Sequence, residues 1–175
     1  MQRNLEKWQE QFENIIELYK GRVFNMLYKI LPDKSIIEDV AQEVFIRIYK
    51  GLPYFREKSK FTTWLYRIVH NVAISELRKK RPQHSDDIEI DKLVSFSNET
   101  DQVKLLTEKQ IKEKIDSALN LLPENFRTVL ILYYMEELSY NDIAETLDLP
   151  IGTVKTYLFR GKKMLRHILK NLNNI

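Results

Sequence analysis

Leu138-Ser139-Tyr140-Asn141-Asp142-Ile143-Ala144-Glu145-Thr146-Leu147-Asp148-Leu149-Pro150-Ile151-Gly152-Thr153-Val154-Lys155 reads as two helices joined by a tight turn. Ser139 can cap the first helix with Asp142 three positions on, Ala144 is small where two helices must approach closely, and Leu147 and Leu149 anchor the turn. In the second helix Val154, Leu158 and Leu165 fall inward, while Lys155, Thr156, Phe159, Arg160, Lys163 and Arg166 fall outward. Such a helix fits a major groove, its N-terminal residues reading base edges and its basic flank meeting phosphates. A plain helical hairpin is the bland alternative. It leaves the outward Phe159 unexplained, whereas a thymine methyl would give that ring an apolar partner.

The rest of the 175 residues is also helical in pattern. Glycine occurs only at 21, 51, 152 and 161 and proline only at 32, 53, 82, 123 and 150, with no sustained period-two alternation between turn signals. The expected fold is therefore all-α, as two small helical domains joined by an acidic flexible linker. Residues 5–19 and 22–31 read as two helices broken near Gly21, and Pro32-Asp33 starts a third that runs to about Lys50. A loop over residues 54–60 leads into a long helix over 61–80, ended by Pro82. These four helices make a domain over 1–81, residues 82–107 a linker, and residues 108–175 a second domain containing the helix-turn-helix.

Charge divides the chain in the same way. Residues 47–81 carry ten basic side chains against Glu57 and Glu76, a net of +8, and residues 150–175 carry six basic side chains and no acid. Between them, residues 84–101 hold six acids and Lys92, a net of −5. Two separated basic clusters in a chain of net charge +3 suggest two contacts with one polyanion, although solvated helix faces also produce charge runs.

Two further faces carry information. On the third helix Ile36, Ile37, Val40, Ala41, Val44 and Ile48 share the core side, and the opposite side is Asp39, Gln42, Glu43, Arg47 and Lys50 with Ile46 among them. Like charges four apart weaken a helix slightly, so Asp39 and Glu43 beside an outward isoleucine fit a partner surface as well as they fit a solvated face. Before and along the long helix, Tyr54, Phe55 and Phe61 interleave with Arg56, Lys58 and Lys60, followed by a stripe of Thr63, Arg67, His70, Asn71 and Arg78 bordered by Trp64. Rings supply base stacking at ~1–3 kcal/mol per base while the cations hold phosphates, so the loop suits single-stranded DNA. For any single ring, stapling the loop to the core is the competing role.

Catalysis has no foothold. There is no glycine-rich phosphate loop, no paired-histidine motif, no nucleophile elbow and no cysteine, and the histidines at 70, 84 and 167 have no triad partners. Asp86, Asp87, Glu89 and Asp91 lack the glycine turn and regular ligand spacing of a calcium loop. The expectation is a non-enzyme without metal or cofactor. The lack of cysteine and of any apolar run of about 18 residues, with a polar N-terminal stretch, leads to the expectation of a cytoplasmic protein that does not span a membrane.

The motifs together resemble a known family. Residues 35–47, with Asp39, Gln42, Glu43 and Ile46, then Phe61-Thr62-Thr63-Trp64-Leu65-Tyr66-Arg67-Ile68 with Asn71 and the 78–81 basic run, then Leu122-Pro123 and the helix-turn-helix are similar, in order and spacing, to an extracytoplasmic-function (ECF) sigma factor of bacterial RNA polymerase. The resemblance covers about residues 10–80 and 110–172 and leaves the linker out. Asp148 departs from the glycine of many relatives, but aspartate tolerates left-handed backbone. Lys155 stands where some relatives carry arginine, which leaves base preference open.

This resemblance implies a protein that binds core RNA polymerase, recognises the minus-thirty-five element as duplex and the minus-ten element as melted strand, and opens promoter DNA. Asp39, Gln42, Glu43 and Ile46 would contact the polymerase clamp helices. Phe55, Arg56, Phe61, Thr63, Trp64, Arg67 and Asn71 would lie near a captured non-template base. Lys155, Thr156, Phe159, Arg160 and Lys163 would meet the upstream element. The acidic linker would lie in a basic channel that later takes RNA, and an anti-sigma factor, often membrane-tethered, would mask these faces. A stand-alone regulator would show a sensing or dimerisation domain in place of the aromatic, basic face, and a helical adaptor without DNA would have no reason to exclude acids from residues 150–175.

Overall fold

The computed structural model describes residues 2–56, 59–80 and 107–173, with side chains described for 9–56, 59–79 and 107–172. The described residues contain seven α-helices and no strand. α1 spans Gln2–Ile30, α2 Ile37–Gly51, α3 Phe61–Lys80, α4 Glu108–Asn120, α5 Glu124–Tyr134, α6 Tyr140–Leu147 and α7 Ile151–Asn173. Helices α1 to α3 form one unit and α4 to α7 the other. The expected linker lies outside the described residues except for Thr107.

The break expected at Gly21 does not occur, so the first unit has three α-helices, not four. One glycine disfavours a helix by only about 1 kcal/mol relative to alanine. Tyr19, Val23, Met26, Leu27 and Ile30 continue one apolar stripe through it, and the last four are fully buried. Asp33 then opens a short 3-10 turn, Lys34–Ile36, by accepting from the Ser35 amide at 3.0 Å. α2 buries Ile37, Val40, Ala41, Val44 and Ile48, the face its spacing predicted, and Ile36 is half-buried in the turn before it. α3 buries Leu65, Tyr66, Val69, Val72, Ala73 and Ile74. Tyr66 was not foreseen as core.

In the second unit Thr107 and Gln110 form a reciprocal capping box that starts α4. α5 is buried from Phe126 to Leu132, and α7 crosses it closely at Gly161.

The two units pack into one continuous buried cluster. Their junction is polar as well as apolar. The buried Arg127 guanidinium of α5 donates to the carbonyls of Ile30 at 2.9 Å, Asn120 at 3.0 Å and Leu122 at 2.9 Å. Lys29 pairs with Asp116 at 2.6 Å, and the buried Tyr66 hydroxyl donates to Glu136. Burial raises the Tyr66 pKa, and the bond to Glu136 raises it further. Burial also raises the Glu136 pKa, outweighing the opposing effects of Tyr66 and Arg22. These contacts satisfy polar groups that packing the two units together takes out of water.

Candidate polymerase and nucleic-acid interfaces

The outer face of α2 follows from its period. With the core side fixed, Asp39, Gln42 and Ile46 are exposed, Ile46 at 42%. Glu43 is partly exposed and pairs with Arg47 one turn later at 2.6 Å. The Arg47 hydrogen bond holds the Glu43 carboxyl below its usual pKa range. The four residues expected to meet polymerase are therefore brought together on one surface. Asp39 and Glu43 border a groove of about 290 Å³ whose far side is α3, where Glu76 and Lys79 pair at 3.0 Å.

The aromatic loop differs from a row of free rings. Phe55, Phe61 and Trp64 are half-buried and pack on one another with centroids 5.2 to 5.6 Å apart, and Tyr19 of α1 joins Phe61 at 5.4 Å. The stapling role is thus real for all three. Tyr54 is instead the most exposed ring, at 79%. A cavity of about 380 Å³ opens beside the cluster, lined by Tyr19, Phe55 and Phe61 with Gln11 and Asn14 among its polar groups. Gln11 and Asn14 were missed because nothing local in α1 points to a loop some 40 residues away. Gly51 lets the Trp64 ring come so near that a Cβ there would stand 2.9 Å from it.

Arg56 and Asn71 are exposed as expected, and Lys58 lies outside the described residues. Thr63 and Arg67 correct the expectation of an open polar stripe. Thr63 is fully buried. Arg67 donates through Nη2 to the Glu145 carbonyl at 2.7 Å and to its carboxylate at 3.3 Å, both on α6. Lys60, just before α3, pairs with Asp142 of α6 at 2.8 Å. His70 is half-buried, and burial lowers its pKa.

The helix-turn-helix forms as read. Ser139 and Asp142 make a reciprocal capping box, and Asp148 closes α6 in left-handed backbone at φ 54°, ψ 48°, its amide bonded to the Ala144 carbonyl. Burial raises the Asp142 pKa, but hydrogen bonds from Lys60 and Ser139 outweigh this and hold the carboxyl below its ordinary range. α7 buries Val154 and Leu158 and presents Lys155, Thr156, Phe159, Arg160 and Lys163 outward, Phe159 at 72% exposure. The Thr156 hydroxyl donates to the Gly152 carbonyl at 2.9 Å, so toward a ligand it serves as an acceptor or a methyl contact.

Among the described residues no cluster of side chains could hold a metal ion, and no helix is long and apolar enough to cross a membrane.

Known proteins match this arrangement. Residues 15–83 match the Sigma-70 region 2 family and residues 112–165 match Sigma-70, region 4. The chain is 38% identical over 171 residues to the ECF RNA polymerase sigma factor SigW of Bacillus subtilis, across 94% of this chain and 91% of that protein. It is 34% identical over 170 residues to the RNA polymerase sigma-H factor of Pseudomonas aeruginosa, across 92% and 87%. Its fold is similar, at TM-score 0.70 and 23% identity, to the sigma factor RpoE of Bartonella quintana solved in complex with the anti-sigma factor NepR, covering 92% of this chain and 98% of that one. With both helical units matched in order, the chain belongs to the ECF sigma factors, non-enzymatic subunits that direct bacterial RNA polymerase to specific promoters.

Proposed function

We propose that residues 1–81 bind core RNA polymerase and capture the melted minus-ten strand, that residues 108–175 read the minus-thirty-five duplex, and that residues 82–107 link them. The observation that carries this division is the outward face of α7. Lys155, Thr156, Phe159 and Arg160 stand together at the N-terminal half of a helix set by a capped α6 and a left-handed turn, as a groove-reading helix requires. Lys155, Arg160 and Lys163 add phosphate contacts or base contacts along the same face. Asp39, Gln42, Glu43 and Ile46 form the polymerase surface, acidic around an apolar centre. Phe55, Arg56, Phe61, Thr63, Trp64, Arg67 and Asn71 serve the opened strand, with Phe61 and Trp64 as walls that hold Phe55 in place.

The partners are core polymerase, promoter DNA and an anti-sigma factor, and the site of action is the cytoplasm. The NepR complex of the Bartonella quintana protein supports an anti-sigma partner. Because small basic modules give mainly non-specific, salt-sensitive affinity on their own, core polymerase should convert weak duplex binding to a specific footprint. Footprinting with and without core polymerase at physiological salt tests this. A tight, specific footprint from the free chain would favour a stand-alone regulator.

A further inference from the structure

We propose that Gly152 is a positioning residue for the upstream duplex: its missing side chain lets the first turn of α7 seat deep enough in the major groove for Lys155, Thr156 and Phe159 to reach base edges. The proposal rests on the groove-reading assignment of α7. Two of the four glycines have a reason inside the protein, since a Cβ would press on Trp64 at Gly51 and on Phe126 and Leu130 at Gly161. Gly152 has no such reason. Apart from its own helix backbone and its chain neighbours, no atom lies within 4 Å of where its Cβ would stand, and its φ is not positive. Its backbone is helical, a conformation alanine adopts without strain, so within the free chain glycine here only adds freedom to the unfolded state.

The place of Gly152 on the helix accounts for what the interior does not. Positions three, four and seven residues on share its face, and these are Lys155, Thr156 and Phe159, all exposed. Gly152 therefore heads the stripe that reads the duplex. The Thr156 hydroxyl bonds back to the Gly152 carbonyl at 2.9 Å, which holds that side chain against the first turn and leaves bare backbone at the head of the stripe. The exposed Ile151 forms one flank of this notch. A helix with its side chains is about 10–12 Å across and the major groove about 12 Å wide, so the entering turn has almost no lateral clearance. A methyl group at the head of the stripe would hold the helix away from the bases, and a hydrogen bond to a base edge tolerates only roughly 0.5 Å of stretch.

Gly21 supplies a matched control. It too has open space and a φ that is not positive, but it lies on α1 in the other unit, away from the reading stripe. Gly21→Ala and Gly152→Ala are thus the same substitution with the same effect on helix preference, and they differ in what stands opposite them when the duplex is bound.

The test compares the two variants in the full chain. Both should match or exceed the wild-type Tm, by up to about 4 °C. A lower Tm for Gly152→Ala would give that glycine a reason inside the protein and overturn the proposal. Holoenzyme assembled from core polymerase and each chain is then titrated with two probes: the duplex that wild-type holoenzyme selects from a pool randomised at the upstream element, and the unselected pool. Gly152→Ala should weaken binding of the selected duplex about tenfold or more, because overpacking displaces the base contacts, and binding of the pool by no more than about twofold, because the pool is held through phosphates. Gly152→Leu, with a longer side chain and good helix preference, should weaken the selected duplex further. Gly21→Ala should change neither probe. Full preference for the selected duplex in Gly152→Ala, equal weakening on both probes, or the same loss in Gly21→Ala would each overturn the proposal. A wild-type holoenzyme that selects no duplex from the pool would instead remove the groove-reading assignment of α7, and the proposal with it.

Discussion

Gly161 of α7 lies against Phe126 of α5 so closely that a Cβ at position 161 would stand 3.2 Å from the Phe126 Cβ, with Leu130 Cδ1 at 3.3 Å. This contact sets the seat of α7 on the core of its unit. Gly161→Val should destabilise the chain by on the order of 1–3 kcal/mol, because overpacking forces backbone or rotamer shifts. Urea denaturation measures it. A stability equal to wild type would show that α5 and α7 part without strain.

Glu43→Lys should weaken core polymerase binding by placing positive charge on an acidic partner face. It removes one exposed ion pair with Arg47, so folding stability should stay close to that of the wild type. A titration against immobilised core polymerase decides the matter, and unchanged affinity would remove this part of α2 from the partner surface.

Changes at Lys155 and Phe159 should alter base preference, while Arg160→Ala should weaken upstream-element binding. A lost base contact costs on the order of 1–3 kcal/mol at one position, and a lost phosphate contact weakens all sequences alike. Selection on randomised upstream elements separates the two. Identical sequence logos for wild type and the Lys155 and Phe159 variants would show that neither side chain reads bases.

Phe55→Ala and Arg56→Ala should slow strand opening. A protein without ATP chemistry can melt DNA only by binding the opened strand better than the closed duplex. Because the Phe55 ring also packs on Phe61 and Trp64, its removal should carry a folding cost that Arg56→Ala does not. A template with a pre-melted bubble should rescue both variants, and permanganate reactivity with run-off yield measures this. Equal defects on closed and pre-opened templates would assign these residues to folding or polymerase binding.

Local chemistry made much of this molecule readable before its structure. The caps at Ser139 and Asp142, the left-handed tolerance of Asp148 and the period of α2 each depend on neighbours within one or two turns, and each is realised. Gly21 misled because one poor helix former is outweighed by a buried stripe that runs past it. Thr63 and Arg67 misled for a different reason. Their surroundings depend on how the two units dock, and Arg67 meets Glu145 across 78 residues of chain. Tyr66 was hidden the same way, since its buried hydroxyl finds Glu136 from the other unit. Periodicity names the face of a helix but not what is packed against it.

The central claim is that this chain confers promoter choice on core RNA polymerase, and run-off transcription with start-site mapping tests it most directly. Core polymerase alone should initiate without a defined start on a promoter-bearing template. Added chain should produce one discrete start, and Phe159→Ala should diminish it only on templates that carry the upstream element. Start sites that are the same with and without the chain would contradict the account.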